Sequence, residues 1–268
     1  MSLLSSTPIE VYPELADLSV KREDMSCGSP ALAKARGAYA RVQQMTRKGV
    51  RTFGALDGYH SRNTWALASA CAAYGARCLA FYPNYKKEPG PREAQLRAQE
   101  LGAELRPLPA GMMSVLWYQA RKIVRAEGGH MLPNAMKFTE SVAATAAEVG
   151  EEEASFEQII VPSSSATIAA GVIAGVVLRG SSTRVVVYLS HTKKRDPLLK
   201  YIRESVHFVT GEDRLPSLHF VEEGYNYREP SRVIRELPFP ASPFYEQKAI
   251  DWWMREGERL RTLFWNIG

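Results

Sequence analysis

The chain carries short, nearly unbroken apolar runs at residues 77–81 (RCLAF), 158–161 (QIIV) and 184–189 (RVVVYL). Runs of this length predict buried strands rather than helices. Longer segments between them predict helices: 30–45, Ala-rich with Pro30 near its first turn; 61–74, ended by Gly75; 91–101, stopped by Gly102; 141–150; and the small-residue stretch 166–178. Further strands are predicted over 18–22, 50–56 and 103–107. Residues 11–20 hold a proline and no clear period, and read as a lead-in loop to the first strand. Residues 213–242 contain Pro216, Pro230, Pro238 and Pro240 and read as loop returning to the site, and Lys193-Lys194-Arg195 as a solvated turn. Strand and helix alternate at a spacing that predicts an α/β protein of mainly parallel sheets flanked by helices, with no repeat of solenoid length.

Composition narrows the class without naming a function. Of 268 residues, 45% are hydrophobic and 24% charged, which excludes wholesale disorder, a collagen-like repeat and a disulfide scaffold. The 34 Lys and Arg exceed the 29 Asp and Glu by five, an excess that permits an anionic ligand or nucleic acid but demands neither. Cys27, Cys71 and Cys78 form no CxxC pair and are expected to be reduced thiols of a cytoplasmic protein. No signal-peptide pattern opens the chain, and the apolar run at 168–178 is too short to span a bilayer, so no membrane is expected as a partner.

The chain lacks GxGxxG, P-loop, HExxH and GxSxG motifs, which removes most of the case for P-loop phosphoryl transfer, zinc proteolysis and α/β-hydrolase chemistry. His130, His191, His207 and His219 are scattered, with no metal-ligand spacing. Trp252-Trp253 reads as core or an interface patch. Two segments can carry chemistry. Lys34 lies among Ala and Gly near a helix start, where desolvation would disfavour the ammonium and leave an amine able to form a Schiff base, although a helix lysine is usually a surface residue. The strand at 158–161 runs into Pro162-Ser163-Ser164-Ser165-Ala166-Thr167, a hydroxyl-rich turn that opens a helix. That is an anion site by geometry, or an N-cap with extra serines.

Taken in order, these segments resemble fold-type II pyridoxal-phosphate enzymes of the tryptophan synthase beta-like superfamily, and within them the branch of 1-aminocyclopropane-1-carboxylate deaminase and D-cysteine desulfhydrase. The resemblance rests on Thr7-Pro8, on Lys21-Arg22-Glu23-Asp24, on Lys34 ten residues later with Arg36 after it, and on the strand–SSSAT–helix turn. Residues 54–62 (GALDGYHSR) stand where that branch has GGIQSNHxR, and Gly75 closes the following helix in register. Residues 243–249 (PFYEQKA) resemble its PVYEGKS stretch, Glu223-Gly224-Tyr225-Asn226 its tyrosine loop, and residues 263–268 its final strand.

The resemblance implies pyridoxal 5'-phosphate as cofactor and a set of roles. Lys34 would carry the cofactor and move the Cα proton. Ser163, Ser164, Ser165, Ala166 and Thr167 would hold its phosphate. Gly58, Tyr59, His60 and Ser61 would line the substrate loop, with Tyr59 near the cofactor's phenolic oxygen. Tyr225 and Tyr245 would face the ring or the substrate. Glu246 would meet the pyridine nitrogen and keep it protonated, which strengthens the electron sink. A carboxylate there points to the deaminase-like end of the branch; the alternative is an exposed glutamate favoured by the helix dipole.

Departures from the branch pattern carry information too. Ser163, Ser165 and Ala166 replace glycines of the phosphate loop, so any position there needing positive φ would be strained. Gly58 replaces the serine that the deaminase uses against the cyclopropane ring, and Tyr59 replaces the next asparagine, which reshapes the pocket.

The expected organisation is a large cofactor domain of residues 1–35 plus 135–268 and a small domain of 36–134, with the cofactor in the cleft between them and a homodimer as the assembly. The expected activity is deamination, elimination or decarboxylation at Cα of an amino acid or amine. One alternative is an amino acid attached to a nucleotide or DNA base, as in phage-type base hypermodification. It is motivated by the compact chain, the rebuilt substrate loop and the basic balance. Another is a catalytically inactive binding protein that keeps the scaffold.

Overall fold

The computed structural model describes residues 6–16, 18–25 and 33–268. These fall into two compact units: the first takes the described residues up to Ala33 together with Thr139–Gly268, the second Lys34–Phe138. Cys27 and the expected start of the first helix at Pro30 lie outside the described residues.

The first unit is built on a six-stranded sheet. Its strands are β1 (Ile9–Tyr12), β2 (Leu18–Arg22), β7 (Gln158–Ser163), β8 (Arg184–Leu189), β9 (Leu218–Glu222) and β10 (Thr262–Asn266), numbered along the whole chain. They lie in the order β1-β2-β10-β7-β8-β9, and every pair except the antiparallel β1–β2 is parallel. Both faces of this sheet are covered, which is why β7 and β8 read as unbroken apolar runs. Ile159, Val161, Val185, Val187 and Leu263 point to one core, shared with helices α5 (Thr139–Ala146), α7 (Thr167–Leu178) and α8 (Arg195–Thr210). Ile160, Val186, Tyr188 and Phe264 point to the other, where helix α9 (Glu246–Glu256) contributes Ile250, Trp252 and Trp253. The tryptophan pair is thus core.

Helix α7 is small and apolar all round because it is buried all round. A Cβ on Gly171 would stand 2.4 Å from Thr145 Cβ, and one on Gly175 would stand 2.5 Å from Val149 Cβ, so these glycines set the approach of α7 to α5 and the turn after it. The short helix α6 (Glu151–Ala154) carries Glu153 into a buried ionic cluster. Lys21, fully buried on β2, meets Glu153 at 2.6 Å, Glu148 at 2.9 Å and the Thr7 carbonyl at 2.6 Å. The Thr7 backbone N–H and hydroxyl both donate to Glu148, and the hydroxyl also reaches Glu23. The Thr7 and Lys21–Glu23 segments are therefore tied together as structure.

The second unit holds a four-stranded, all-parallel sheet of order β5-β4-β3-β6, formed by β3 (Thr52–Leu56), β4 (Arg77–Asn84), β5 (Glu104–Pro109) and β6 (His130–Met131). Helix α4 (Met113–Ala126) lays Leu116, Ala120 and Val124 on one side against Leu56, Leu79 and Phe81. Helix α2 (Asn63–Ala73) lies against β3 and β4 and is joined to α1 (Ala33–Arg47) by a Tyr39–Ser69 hydroxyl hydrogen bond of 2.9 Å. Helix α3 (Glu93–Glu100) links β4 to β5.

The parallel α/β architecture is the one expected, with local corrections. Residues 11–20 are not a loop throughout: β1 and a 3-10 turn over Pro13–Leu15 occupy the start. The stretch 213–242 contains the edge strand β9 among its turns. Helices α4 and α8 escape the sequence pattern because each buries one thin stripe, blurred in α4 by the exposed Val115 and Tyr118 and interrupted in α8 by charged positions. Lys193 and Lys194 form an exposed turn, while Arg195 already opens α8. Among the described residues no helix is long and apolar enough to cross a membrane.

Candidate active site

Lys34 sits in the first turn of α1, where its ammonium donates to Asn63 Oδ1 at 3.1 Å. Desolvation is the main influence on it and lowers its pKa to about 8; Asp57 opposes the shift and Arg62 adds to it. Asn63 is held in turn: its side-chain amide donates to the Leu56 carbonyl at 3.1 Å, and its backbone N–H donates to Asp57. The amine is thus fixed by a chain of contacts that runs through the loop after β3.

That loop is residues 57–62. Asp57 is fully buried and accepts the backbone N–H groups of Asn63 and Thr64, the Thr64 hydroxyl and the Gln95 amide. Burial pushes its pKa up and these donors pull it down. The carboxylate therefore occupies the positive end of α2, where an anionic ligand would otherwise find free N–H groups. Gly58 and Ser61 close the turn, the Ser61 N–H donating to the Gly58 carbonyl. The Tyr59 hydroxyl donates to Glu88, its ring lies 4.6 Å from His60, and the Arg92 guanidinium stacks over it at 4.0 Å.

In the first unit, Ser163 ends β7 and its hydroxyl accepts the Ala166 N–H at 3.1 Å. Ala166 is the N-cap of α7 and has φ of 65° and ψ of 5°. The left-handed conformation expected of a glycine-rich turn is thus present, forced on an alanine, and Ser163 and Ser165 avoid it. The Ser165 and Thr167 hydroxyls share a hydrogen bond of 3.2 Å, and Ser164 and Ser165 are half-buried at the helix start. One backbone donor, that of Ala166, is already committed. The hydroxyls and the helix dipole remain an anion-favouring set.

Glu246 opens α9 and is fully buried, which corrects the reading of an exposed helix-start glutamate; it accepts the Ser242 N–H at 2.8 Å. Tyr245 is the N-cap of the same helix and is half-buried. Tyr225 is buried in the loop after β9, its hydroxyl accepting the Arg232 N–H at 3.3 Å.

Sequence reasoning missed a neighbour of Tyr225. Lys248 is fully buried on α9, donates to the Ser190 carbonyl at 2.7 Å and lies 4.3 Å from the Tyr225 ring centroid. Burial lowers its pKa to about 8. His191, next to Ser190 at the carboxyl end of β8, is pushed down to about 4 by burial and by Lys193 and Lys248. No local pattern marks Lys248, because residues two apart on a helix face different ways and its partners are distant in sequence. Among the described residues no group of three or more His, Cys, Asp or Glu is placed to hold a metal ion.

Comparison with known proteins gives these features a context. The profile of a family described as "Pyridoxal-phosphate dependent enzyme" matches residues 2–219. A protein of Pseudomonas phage M6 described as "Glycyl-dTMP PLP-dependent decarboxylase" is 32% identical over an alignment 286 positions long, gaps included, that covers 99% of each chain. Among solved structures, an ACC deaminase homologue superimposes with a TM-score of 0.85 at 19% identity, over 100% of this chain and 90% of the other. Maize serine racemase superimposes with a TM-score of 0.68 at 14% identity, over 99% of this chain and 88% of the other. Taken unit by unit, the donor chemistry fits a phosphorylated aldehyde: a desolvated amine in the second unit, and a hydroxyl-rich helix start and a buried carboxylate in the first.

Proposed function

Because the chain belongs to the family of pyridoxal-phosphate dependent enzymes and uses that cofactor, we propose that it decarboxylates an amino acid joined to a pyrimidine deoxynucleotide. The 32% identity with the phage decarboxylase over 99% of both chains carries this reading. Bound pyridoxal phosphate supplies an electron sink for the pair released when a bond at Cα breaks.

The chain's own residues divide the work. Lys34 Nζ would hold the cofactor covalently and deliver a proton to Cα, and its lowered pKa leaves a useful fraction as free amine near neutrality. Ser163, Ser164, Ser165, Ala166 and Thr167 would receive the phosphate. Glu246 would keep the ring nitrogen protonated, with Tyr225 and Tyr245 against the ring or the substrate. Gly58, Tyr59, His60 and Ser61 would face the substrate.

Asp57 supports the choice of bond. A carboxylate that is to be retained is best held by a helix N-terminus, whereas one that is to leave as carbon dioxide is favoured by an environment that stabilises its charge poorly. Here the N–H groups of Asn63 and Thr64 are already taken by a buried acid.

Incubation of the holoprotein with glycyl-dTMP, free and within an oligonucleotide, tests the proposal by mass spectrometry. The expected product has lost carbon dioxide and gained a proton at Cα. Release of ammonia instead, or equal turnover of free glycine, would overturn it. A homodimer in a reducing cytoplasm belongs to the same reading; light scattering tests the former, and Cys71 and Cys78, free and buried, are compatible with the latter.

A further inference from the structure

The carboxyl ends of β3 and β4 present a cluster that chemistry at a free amino acid does not require. Tyr59 follows β3, Tyr85 follows β4, and their ring centroids are 5.8 Å apart. The Arg92 guanidinium lies over both rings, 4.0 Å from the Tyr59 centroid and 5.0 Å from that of Tyr85. Glu88 fixes the arrangement by accepting from the Tyr59 hydroxyl and from Arg92 Nη2 at 3.1 Å. Tyr59, Tyr85 and Arg92 are half-buried, so part of each reaches solvent, and Lys86 and Lys87 beside them are exposed.

Two aromatic rings capped by a guanidinium plane, with ammonium groups at their rim, match a nucleotide part by part. Bases stack on Tyr and Arg planes, and lysines attract phosphate as point charges. Ligands of open parallel sheets also gather beyond the carboxyl ends of the strands, and both loops leave the sheet there. We propose that Tyr59, Tyr85 and Arg92 form a stacking subsite for the pyrimidine base of the substrate, with Lys86 and Lys87 drawing its phosphate. The proposal rests on the reading of a nucleotide-linked substrate and assigns that substrate's base to a place. Tyr59, where the resembled branch has asparagine, supplies one of the stacking planes.

The test uses holoprotein and two probes that carry no amino acid: dTMP followed by calorimetry, and a fluorescein-labelled single-stranded oligothymidylate followed by anisotropy. Tyr85→Leu and Arg92→Leu are each expected to weaken binding by about tenfold, the scale of losing one stacked base. Tyr85→Phe is expected to retain it. The Lys86→Ala, Lys87→Ala double variant is expected to flatten the salt dependence of oligothymidylate binding. The cofactor's visible absorption and the melting temperature should be the same in all variants, which separates loss of the subsite from loss of fold. Preference for the oligonucleotide assigns the subsite to a DNA strand and preference for dTMP to a free nucleotide; either supports it. If the wild type binds and the Leu variants bind as tightly, the subsite is wrong and the nucleotide reading stands. If the wild type binds neither probe, both fall.

Discussion

Asp57 accepts the backbone N–H of Asn63 at 2.7 Å, so the acid that begins the loop after β3 also closes the start of the helix that follows. Every contact the carboxylate makes with Asn63, Thr64 and Gln95 is with a donor. An Asp57→Asn variant would turn an N–H₂ group toward those donors. It is expected to lose about 1–3 kcal/mol in urea denaturation of the apoprotein, the cost of leaving buried partners unsatisfied. A loss below the error of the measurement would show that the loop is held by something else.

Lys34 should reveal its amine through pH. The rate of cofactor uptake by the apoprotein, followed by growth of the visible band, is expected to rise roughly tenfold per pH unit below about 8 and to level off above it, as for a single deprotonation. Lys34→Ala should abolish the band. Stability carries the same sign. The folded values of Lys34 and Lys248 are near 8 against an ordinary 10.5, so the unfolded chain binds more protons between those limits. Apoprotein stability should therefore climb with pH across that window.

Lys21 is the buried cation shared by Glu148 and Glu153. Lys21→Met would leave two buried acids without their counter-charge and is expected to cost about 3–5 kcal/mol in chemical denaturation. Adding Glu153→Gln to that variant should recover part of the loss, because it removes one of the stranded charges.

Ala166 holds a backbone conformation that costs an L-residue about 1–2 kcal/mol. Ala166→Gly removes that cost but also a buried methyl group worth about 0.8 kcal/mol and some restriction of the unfolded chain. The terms nearly cancel, and melting should barely move. Ala170→Gly, four residues on and equally buried, gains no such relief and should lose about 2 kcal/mol. Equal losses at both positions would show that the turn at 166 stores no strain.

The fold was legible where burial makes composition speak. The strands at 18–22 and 184–189 match the structure residue for residue, and the small-residue helix at 166–178 is one residue long at its start. Helices α4 and α8 were hidden because Leu116, Ala120 and Val124 in one, and Leu198, Ile202 and Val206 in the other, form a single row at intervals of four, masked in the first by exposed Val115 and Tyr118 and in the second by charged residues. A search at that period would have found them. Strand β9 is a half-exposed edge between prolines, and β6 is only two residues long, so neither leaves a pattern. At the site, Lys34 and the serine turn stood out through local composition. Lys248 did not, because its burial depends on the Ser190 carbonyl and Tyr225, which only tertiary packing brings to it.

The position of β10 between β2 and β7 has a consequence for biosynthesis. As the chain leaves the ribosome, residues 34–138 emerge as one uninterrupted block able to pair all four of their strands. The larger sheet has its first strands out much earlier, yet these must wait for residues 262–266 before they gain the neighbour that joins them to the rest. For most of translation the strand carrying Lys21 thus has an open edge, and a chaperone or a stalled ribosome would meet the protein in that half-built form.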